Sequence, residues 1–194
     1  DIVSGNRCLG DTIPFGNGSI YAHNYNWDFG DGTSSTLATP MKLYTAAGTY
    51  SVKLVATNNN GCVDSTTSSA TIYSLPVANF TVNNTCFGND INFTNTSTGY
   101  ASSAWNMGDG SSSATTNPVY RYATMGTYTV GLQVTSGFGC KNSTSKTVTV
   151  YPKPSVSFTT SNVCSGAAAN FTNTSSISAG SITYNWNFGD GKSS

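Results

Sequence analysis

The chain copies itself. Cys8, Cys86 and Cys164 are spaced 78 and 78 residues apart, Cys62 and Cys140 are 78 apart, and Trp27 and Trp105 are 78 apart, with Trp186 following at 81. The segment Trp27-Asp28-Phe29-Gly30-Asp31-Gly32 recurs as Trp105-Asn106-Met107-Gly108-Asp109-Gly110 and as Trp186-Asn187-Phe188-Gly189-Asp190-Gly191. Pro40 and Tyr44 return as Pro118 and Tyr122, and Gly48-Thr49-Tyr50 returns as Gly126-Thr127-Tyr128. Self-similarity of this length restricts the chain to a tandem array of one small unit. The expected boundaries are residues 1–75 for the first repeat, with its first strand cut, 76–153 for the second, and 154–194 for the first half of a third. In that register Asp1 falls inside a strand and the sequence stops three residues after the third Gly-Asp-Gly, so it reads as a window on a longer array. Proline-bearing links are expected at 72–77 and 150–156 (Pro76; Pro152 and Pro154), where Tyr-Pro-Lys-Pro makes a short, stiff connection.

Within each copy the apolar residues keep a period of two. Tyr50, Val52, Leu54 and Ala56 alternate with polar neighbours, as do Tyr128, Val130, Leu132 and Val134. Such alternation marks a strand with one face in a core. Ala70 and Ile72, with Val148 and Val150, continue it as a closing strand. Phe80 and Val82, Ile91 and Phe93, and Tyr25, Trp27 and Phe29 supply earlier strands. No stretch carries helical periodicity. About seven short strands in one copy, punctuated by Gly, Asn, Asp and Ser, predict an all-β fold of tandem immunoglobulin-like sandwiches. A sandwich this small has a small core, so a covalent staple is expected.

Cysteine supplies one. Cys8 and Cys62 are 54 apart, and so are Cys86 and Cys140, one pair per repeat. Pairing within repeats predicts two identical bridges, Cys8–Cys62 and Cys86–Cys140, each worth about 4 kcal/mol in the chain-entropy account. Cys164 is then left with a partner outside the window. A scheme between repeats, such as Cys62–Cys86, stays open. A structural metal is disfavoured by a single histidine and the lack of a close cysteine pair. Disulfides imply an oxidising compartment.

Composition narrows the partners. Only 8% of residues are charged, eight basic against eight acidic, for zero net charge. A cytosolic domain is commonly about 25% charged. A neutral chain has no electrostatic footprint for nucleic acid or an anionic membrane, and no run nears the ~20 apolar residues of a membrane span. The 12% aromatic content, with the alternation above, argues for a folded chain over a disordered one.

Trp-Asp-Phe-Gly-Asp-Gly, then Pro-x-x-x-Tyr, then Gly-Thr-Tyr-x-Val-x-Leu, resembles the polycystic-kidney-disease (PKD) domain over essentially the whole chain. The cysteine pair, with Asn-Gly-Cys before the last strand, is similar to PKD repeats of bacterial surface proteins, especially giant adhesins of Bacteroidota. The resemblance implies an immunoglobulin-like sandwich outside the cell, used as stalk, spacer or adhesive module. Met107 in place of Phe, Asn106 and Asn187 in place of Asp28, and three extra residues between Cys164 and Trp186 depart from the first copy.

Each motif has a structural reading beside its chemical one. Asp31, Asp109 and Asp190 sit in Gly-Asp-Gly segments with no helix or lysine behind them to make a phosphate loop. Asp-Gly between strands is a hairpin signal. Calcium needs six to eight oxygens; Asp28 with Asp31 could begin such a site, and no cofactor is otherwise expected. Trp27, Trp105 and Trp186 share a face with the flanking Phe or Met, which is the core face and not a sugar platform. Tyr73, Tyr100 and Tyr151 are the better candidates for exposed contacts, the first and last also as cushions of a joint. His23 has no counterpart in the other copies and reads as a loop histidine. No catalytic constellation appears, so no enzyme activity is expected. Asp11-Thr12-Ile13 and Asp64-Ser65-Thr66 resemble the O-glycosylation pattern of exported Bacteroidota proteins, at Thr12 and Ser65.

The leading expectation is a structural and adhesive module, part of a semi-rigid array or filament on a bacterial surface. Its partners would be neighbouring repeats of the same chain, laterally associated arrays that low charge permits, and a protein or glycan ligand. The alternative is a PKD spacer of a secreted hydrolase of chitinase or protease type, with polysaccharide binding.

Overall fold

The computed structural model describes residues 2–3 and 6–194. The described residues form strands and turns and contain no helix. The first repeat contains β1 (Ile2–Val3), β2 (Arg7–Cys8), β3 (Thr12–Pro14), β4 (Gly16–Asn17), β5 (Asn24–Asp28), β6 (Ser34–Ser35), β7 (Met41–Leu43), β8 (Gly48–Thr57) and β9 (Val63–Tyr73). The second contains β10 (Phe80–Thr81), β11 (Thr85–Cys86), β12 (Ile91–Asn92), β13 (Thr94–Asn95), β14 (Ser102–Asn106), β15 (Ser112–Ser113), β16 (Val119–Tyr120), β17 (Gly126–Thr135) and β18 (Lys141–Tyr151). Residues 154–194 add β19 (Phe158–Thr160) and β20 (Phe171–Asn173).

Each complete repeat is a sandwich. One side is a five-stranded sheet, ordered β2-β9-β8-β5-β6 in the first repeat and β11-β18-β17-β14-β15 in the second. Short ladders face it, β3 on β7 and β1 on β4, then β12 on β16 and β10 on β13. The long hairpins β8–β9 and β17–β18 dominate because their inward residues alternate over ten positions. Val52, Leu54, Ala70 and Ile72 are buried in the first repeat, and Val130, Leu132, Val134, Val148 and Val150 in the second. Ile13, Phe15, Trp27 and Phe29 close the first core; Ile91, Phe93, Trp105 and Met107, with Phe80, close the second. Met107 fills the place of Phe29 and is fully buried, as an unbranched, adaptable side chain can be.

Two edge strands have special importance. β2 and β11 run parallel to the last strand of their own repeat, with Cys8 opposite Tyr73 and Cys86 opposite Tyr151. The first cysteine of each repeat is therefore held at the end where the chain leaves for the next repeat. The second cysteine, Cys62 or Cys140, immediately precedes β9 or β18 and lies at the opposite end. An eleven-residue strand separates the two, about 35 Å at strand rise.

In residues 154–194, Phe158, Phe171, Trp186 and Phe188 pack on one another with centroids 5.3–6.3 Å apart. They repeat the aromatic half of a sandwich core, and Phe158, Phe171 and Phe188 are 40–54% exposed.

Candidate functional site

The expected bridges Cys8–Cys62 and Cys86–Cys140 do not form. Cys8 is bonded to Cys140, 132 residues away, with Cα atoms 5.5 Å apart. The reason is strand length: a disulfide needs Cα atoms within about 7 Å, and each expected pair sits at opposite ends of its own sandwich. The same geometry excludes Cys62–Cys86, which stand at the two outer ends of the pair of repeats. Cys62, Cys86 and Cys164 keep exposed thiols.

The Cys8–Cys140 bridge crosses the joint between repeats. Its socket belongs to the first repeat. The Leu9 amide donates to the Tyr73 carbonyl (2.9 Å), the Asp11 amide to the Cys8 carbonyl (3.0 Å), and Asn6 Nδ2 to the Tyr73 hydroxyl (3.0 Å). The plug belongs to the second repeat and is the turn Ser136–Cys140 between β17 and β18. Ser136 Oγ accepts the amides of Phe138 (3.3 Å) and Cys140 (3.2 Å), and the Ser136 amide donates to the Cys140 carbonyl (2.8 Å). That turn presents Phe138, whose ring lies flat on Tyr73 at 4.0 Å between centroids and 3° between planes. Phe138 keeps its other face in solvent, while Cys140 is 1% exposed. Asn142 Nδ2 donates to the Pro76 carbonyl (2.8 Å), fixing the linker against the base of the plug. A covalent bond, an aromatic stack and a linker hydrogen bond thus act on one joint.

The hexapeptide is a hairpin turn, and its chemistry explains the residue choices. The Oδ1 atoms of Asp28, Asn106 and Asn187 each accept the amide two residues on, at Gly30, Gly108 and Gly189, all at 2.9 Å. Asp and Asn serve equally because only the acceptor oxygen is used. Asp31, Asp109 and Asp190 then accept from the amides of Thr33, Ser111 and Lys192 at 3.0–3.1 Å. Gly30 and Gly108 have φ of +75° and +83°, and a Cβ on either would lie 2.5 Å from the Ser51 or Thr129 carbonyl oxygen. The buried tyrosines tie the hairpin to the core: the Tyr44 hydroxyl donates to the Phe29 carbonyl (2.9 Å) and the Tyr122 hydroxyl to the Met107 carbonyl (2.7 Å). Their rings stack on Tyr50 and Tyr128.

The charged groups here are structural. Lys42 pairs with Asp31 at 2.6 Å and lies over the Phe29 and Tyr44 rings. Burial pushes the Asp31 carboxyl up, but hydrogen bonds from Lys42 and Thr33 and the Lys42 charge hold it below the ordinary carboxylate value. In the second repeat Tyr120 occupies the place of Lys42, and its hydroxyl donates to Asp109 Oδ2 (2.8 Å). Burial likewise raises the Asp109 carboxyl, and bonds from Ser111 and Tyr120 outweigh it. Burial, then the Asp31 charge, pushes the Tyr44 hydroxyl up to about 12, and burial raises Tyr122 as well. The calcium expectation at Asp28 and Asp31 meets carboxylates already engaged by turn amides and a lysine. Among the described residues no group of three or more His, Cys, Asp or Glu is placed to hold a metal.

The remaining candidates fall into place singly. Trp27 and Trp105 are buried, and their indole N–H groups donate to the Leu37 and Thr115 carbonyls at 2.9 Å; Trp186 is half-buried in its aromatic cluster. Tyr73 is at the joint. Tyr100, expected as an exposed contact, instead packs on the second core. Tyr151 is 48% exposed. His23 is exposed, its Nε2 3.1 Å from Asn59 Nδ2. Thr12 and Ser65 are exposed. The sequence hinted at the joint through Phe138-Gly139-Cys140, but the strand that places Cys8 next to Tyr73 is two residues long and has no periodic signature.

Two immunoglobulin-like sandwiches in tandem, joined end to end by a bridge across their linker, define a modular all-β protein. The PKD domain profile matches residues 8–73 and again 74–151, and the chain belongs to that family. It is 51% identical over 49 residues to the pre-pro-metalloprotease PrtV of Vibrio cholerae serotype O1, covering 25% of this chain and 5% of the relative. The chain thus spans a small fraction of the curated relatives it matches. Among solved structures it is similar to the PKD1 domain of Vibrio anguillarum Epp (35% identity, 39% of this chain and 93% of that one, TM-score 0.37). It is similar also to the PKD1 domain of Vibrio cholerae PrtV (31% identity, 39% and 96%, TM-score 0.36).

Proposed function

We propose that the chain is a load-bearing segment of an extracellular PKD array at a bacterial cell surface, acting as a stalk in adhesion. The observation that carries this reading is the Cys8–Cys140 bridge across the joint, reinforced by the Tyr73–Phe138 stack. A staple placed between domains does little for the core of either. It holds one sandwich at a set angle to the next, which a spacer under tension or bending needs and a loosely tethered module does not. The oxidised bond fits an extracytoplasmic setting, and the neutral surface permits lateral packing of arrays. Small-angle scattering of the chain, oxidised and reduced, tests the reading. Reduction is expected to broaden the distribution of maximum dimensions while both folds persist; identical profiles would reject a joint-stiffening role.

A second reading is a spacer within a secreted hydrolase. It is favoured by the matching segment in a protein named as a metalloprotease. Retention of the chain by insoluble chitin or protein matrices, and loss of that retention on competition with soluble fragments, would support it over the stalk.

A further inference from the structure

The socket that receives Cys140 occurs twice. Cys86 lies opposite Tyr151 in the same parallel register that sets Cys8 opposite Tyr73. The Phe87 amide donates to the Tyr151 carbonyl at 2.8 Å, as that of Leu9 does to Tyr73 at 2.9 Å. Asn84 Nδ2 donates to the Tyr151 hydroxyl at 3.2 Å, as Asn6 does to that of Tyr73 at 3.0 Å. The register and these two hydrogen bonds are therefore repeated, while the bond from the Cys8 amide to Asp11 Oδ2 (3.3 Å) belongs to the first frame, where the second has Asn89. The surroundings differ in exposure: Cys8 is half-covered and stacked over by the plug, whereas Cys86 and Tyr151 both face solvent.

We infer that Cys86 and Tyr151 form a second docking socket, whose occupant is the Phe-Gly-Cys turn of a further PKD sandwich, held by a disulfide to Cys86 and a stack on Tyr151. Continuity with the joint already formed carries this: a frame of the same register and the same hydrogen bonds to its tyrosine, in the same chain, holds Phe138 and Cys140. The consequence is a periodic covalent track, in which each sandwich is bolted to the next and not closed on itself. Closing the bond from two thiols releases two protons and two electrons, which a small-molecule disulfide accepts on being reduced to two thiols. The inference rests on the array reading above, yet its test is separate from the scattering test of that reading.

The test uses the whole chain and a synthetic peptide with the sequence of residues 135–141, Thr-Ser-Gly-Phe-Gly-Cys-Lys, supplied as its mixed disulfide with glutathione. The Cys86 thiolate attacks the peptide sulfur, the new disulfide forms, and glutathione leaves as the thiol, so the exchange is redox-neutral. Mass-spectrometric mapping at equilibrium gives the ratio of peptide to glutathione on each of Cys62, Cys86 and Cys164. The expected ratio at Cys86 is about fivefold above the other two, the size of one aromatic stack. It is expected to fall to their level with a peptide carrying Phe→Ala, and in the Tyr151→Ala chain. The peptide variant needs no change in the protein, so misfolding cannot imitate the result. Equal ratios at the three cysteines, or a Cys86 preference indifferent to the phenylalanine, would overturn the inference.

Discussion

Pulling the chain from its two ends separates the bridge across the joint from bridges within repeats. With Cys8 bonded to Cys140, tension enters at the first residues, passes through the disulfide and leaves along β18, so the 132-residue span between the cysteines bears no load once the fold yields. At about 3.5 Å per extended residue that span hides about 460 Å of contour length. Two bridges of 54-residue separation would instead hide two lengths of about 190 Å each. The assay is single-molecule force spectroscopy with terminal handles, first oxidised and then with a thiol reductant. The expected result is one reduction event that releases about 460 Å of latent length, with loss of the latency in Cys8→Ser and no change in Cys62→Ser or Cys86→Ser. Closing a loop of 132 residues is worth about 5 kcal/mol in the chain-entropy account when both repeats unfold together. Two equal releases near 190 Å, or identical traces with and without reductant, would refute the reasoning from strand length.

Three further outcomes are expected. Gly108→Ala should destabilise the second repeat by about 2–3 kcal/mol, because alanine at positive φ is strained and its Cβ meets the Thr129 carbonyl; Gly110→Ala, with open space around it, should cost only about 1 kcal/mol, and denaturant titrations followed by tryptophan fluorescence would show equal costs if the close approach is unimportant. Tyr122→Phe leaves the buried Met107 carbonyl without its hydroxyl donor and should cost about 1–3 kcal/mol; a neutral result in the same titration would remove the tie between hairpin and core. For pH, Tyr44 has a folded value near 12 against about 10 unfolded, so the unfolded chain loses its proton first: stability is held below pH 10 and falls as pH rises toward 12. Asp31 and Asp109 are shifted the other way, so their contribution is present above about pH 4 and is lost as pH falls through the lower folded values. Melting temperatures across both ranges check the signs, and a rise in stability above pH 10 would contradict the tyrosine assignment.

The sandwich was legible because its carriers are local. Alternation along Tyr50–Ala56 and Tyr128–Val134 names the buried face of β8 and β17, and the Gly-Asp-Gly hairpin follows from two acceptor side chains and two positive-φ glycines a few residues apart. The tryptophans were assigned to the core for the same reason. Tyr100 departs from the expectation of an exposed contact because it is partly buried against the second core, a packing set by the assembled sandwich and not by its neighbours in sequence.

Repetition, alternation and turn chemistry therefore set the number of units, their all-β class and their interior faces, since each of these depends on neighbours within a few positions. Spacing of 54 between cysteines invited pairing within a repeat, but spacing has no direction. Only the assembled sheet lays β2 parallel to the end of β9, carries Cys8 to the exit of the first repeat and turns Cys140 back to meet it. A strand of eleven residues is a rigid ruler, and its length, acting through the tertiary fold, decided that the bridge joins two domains instead of closing one.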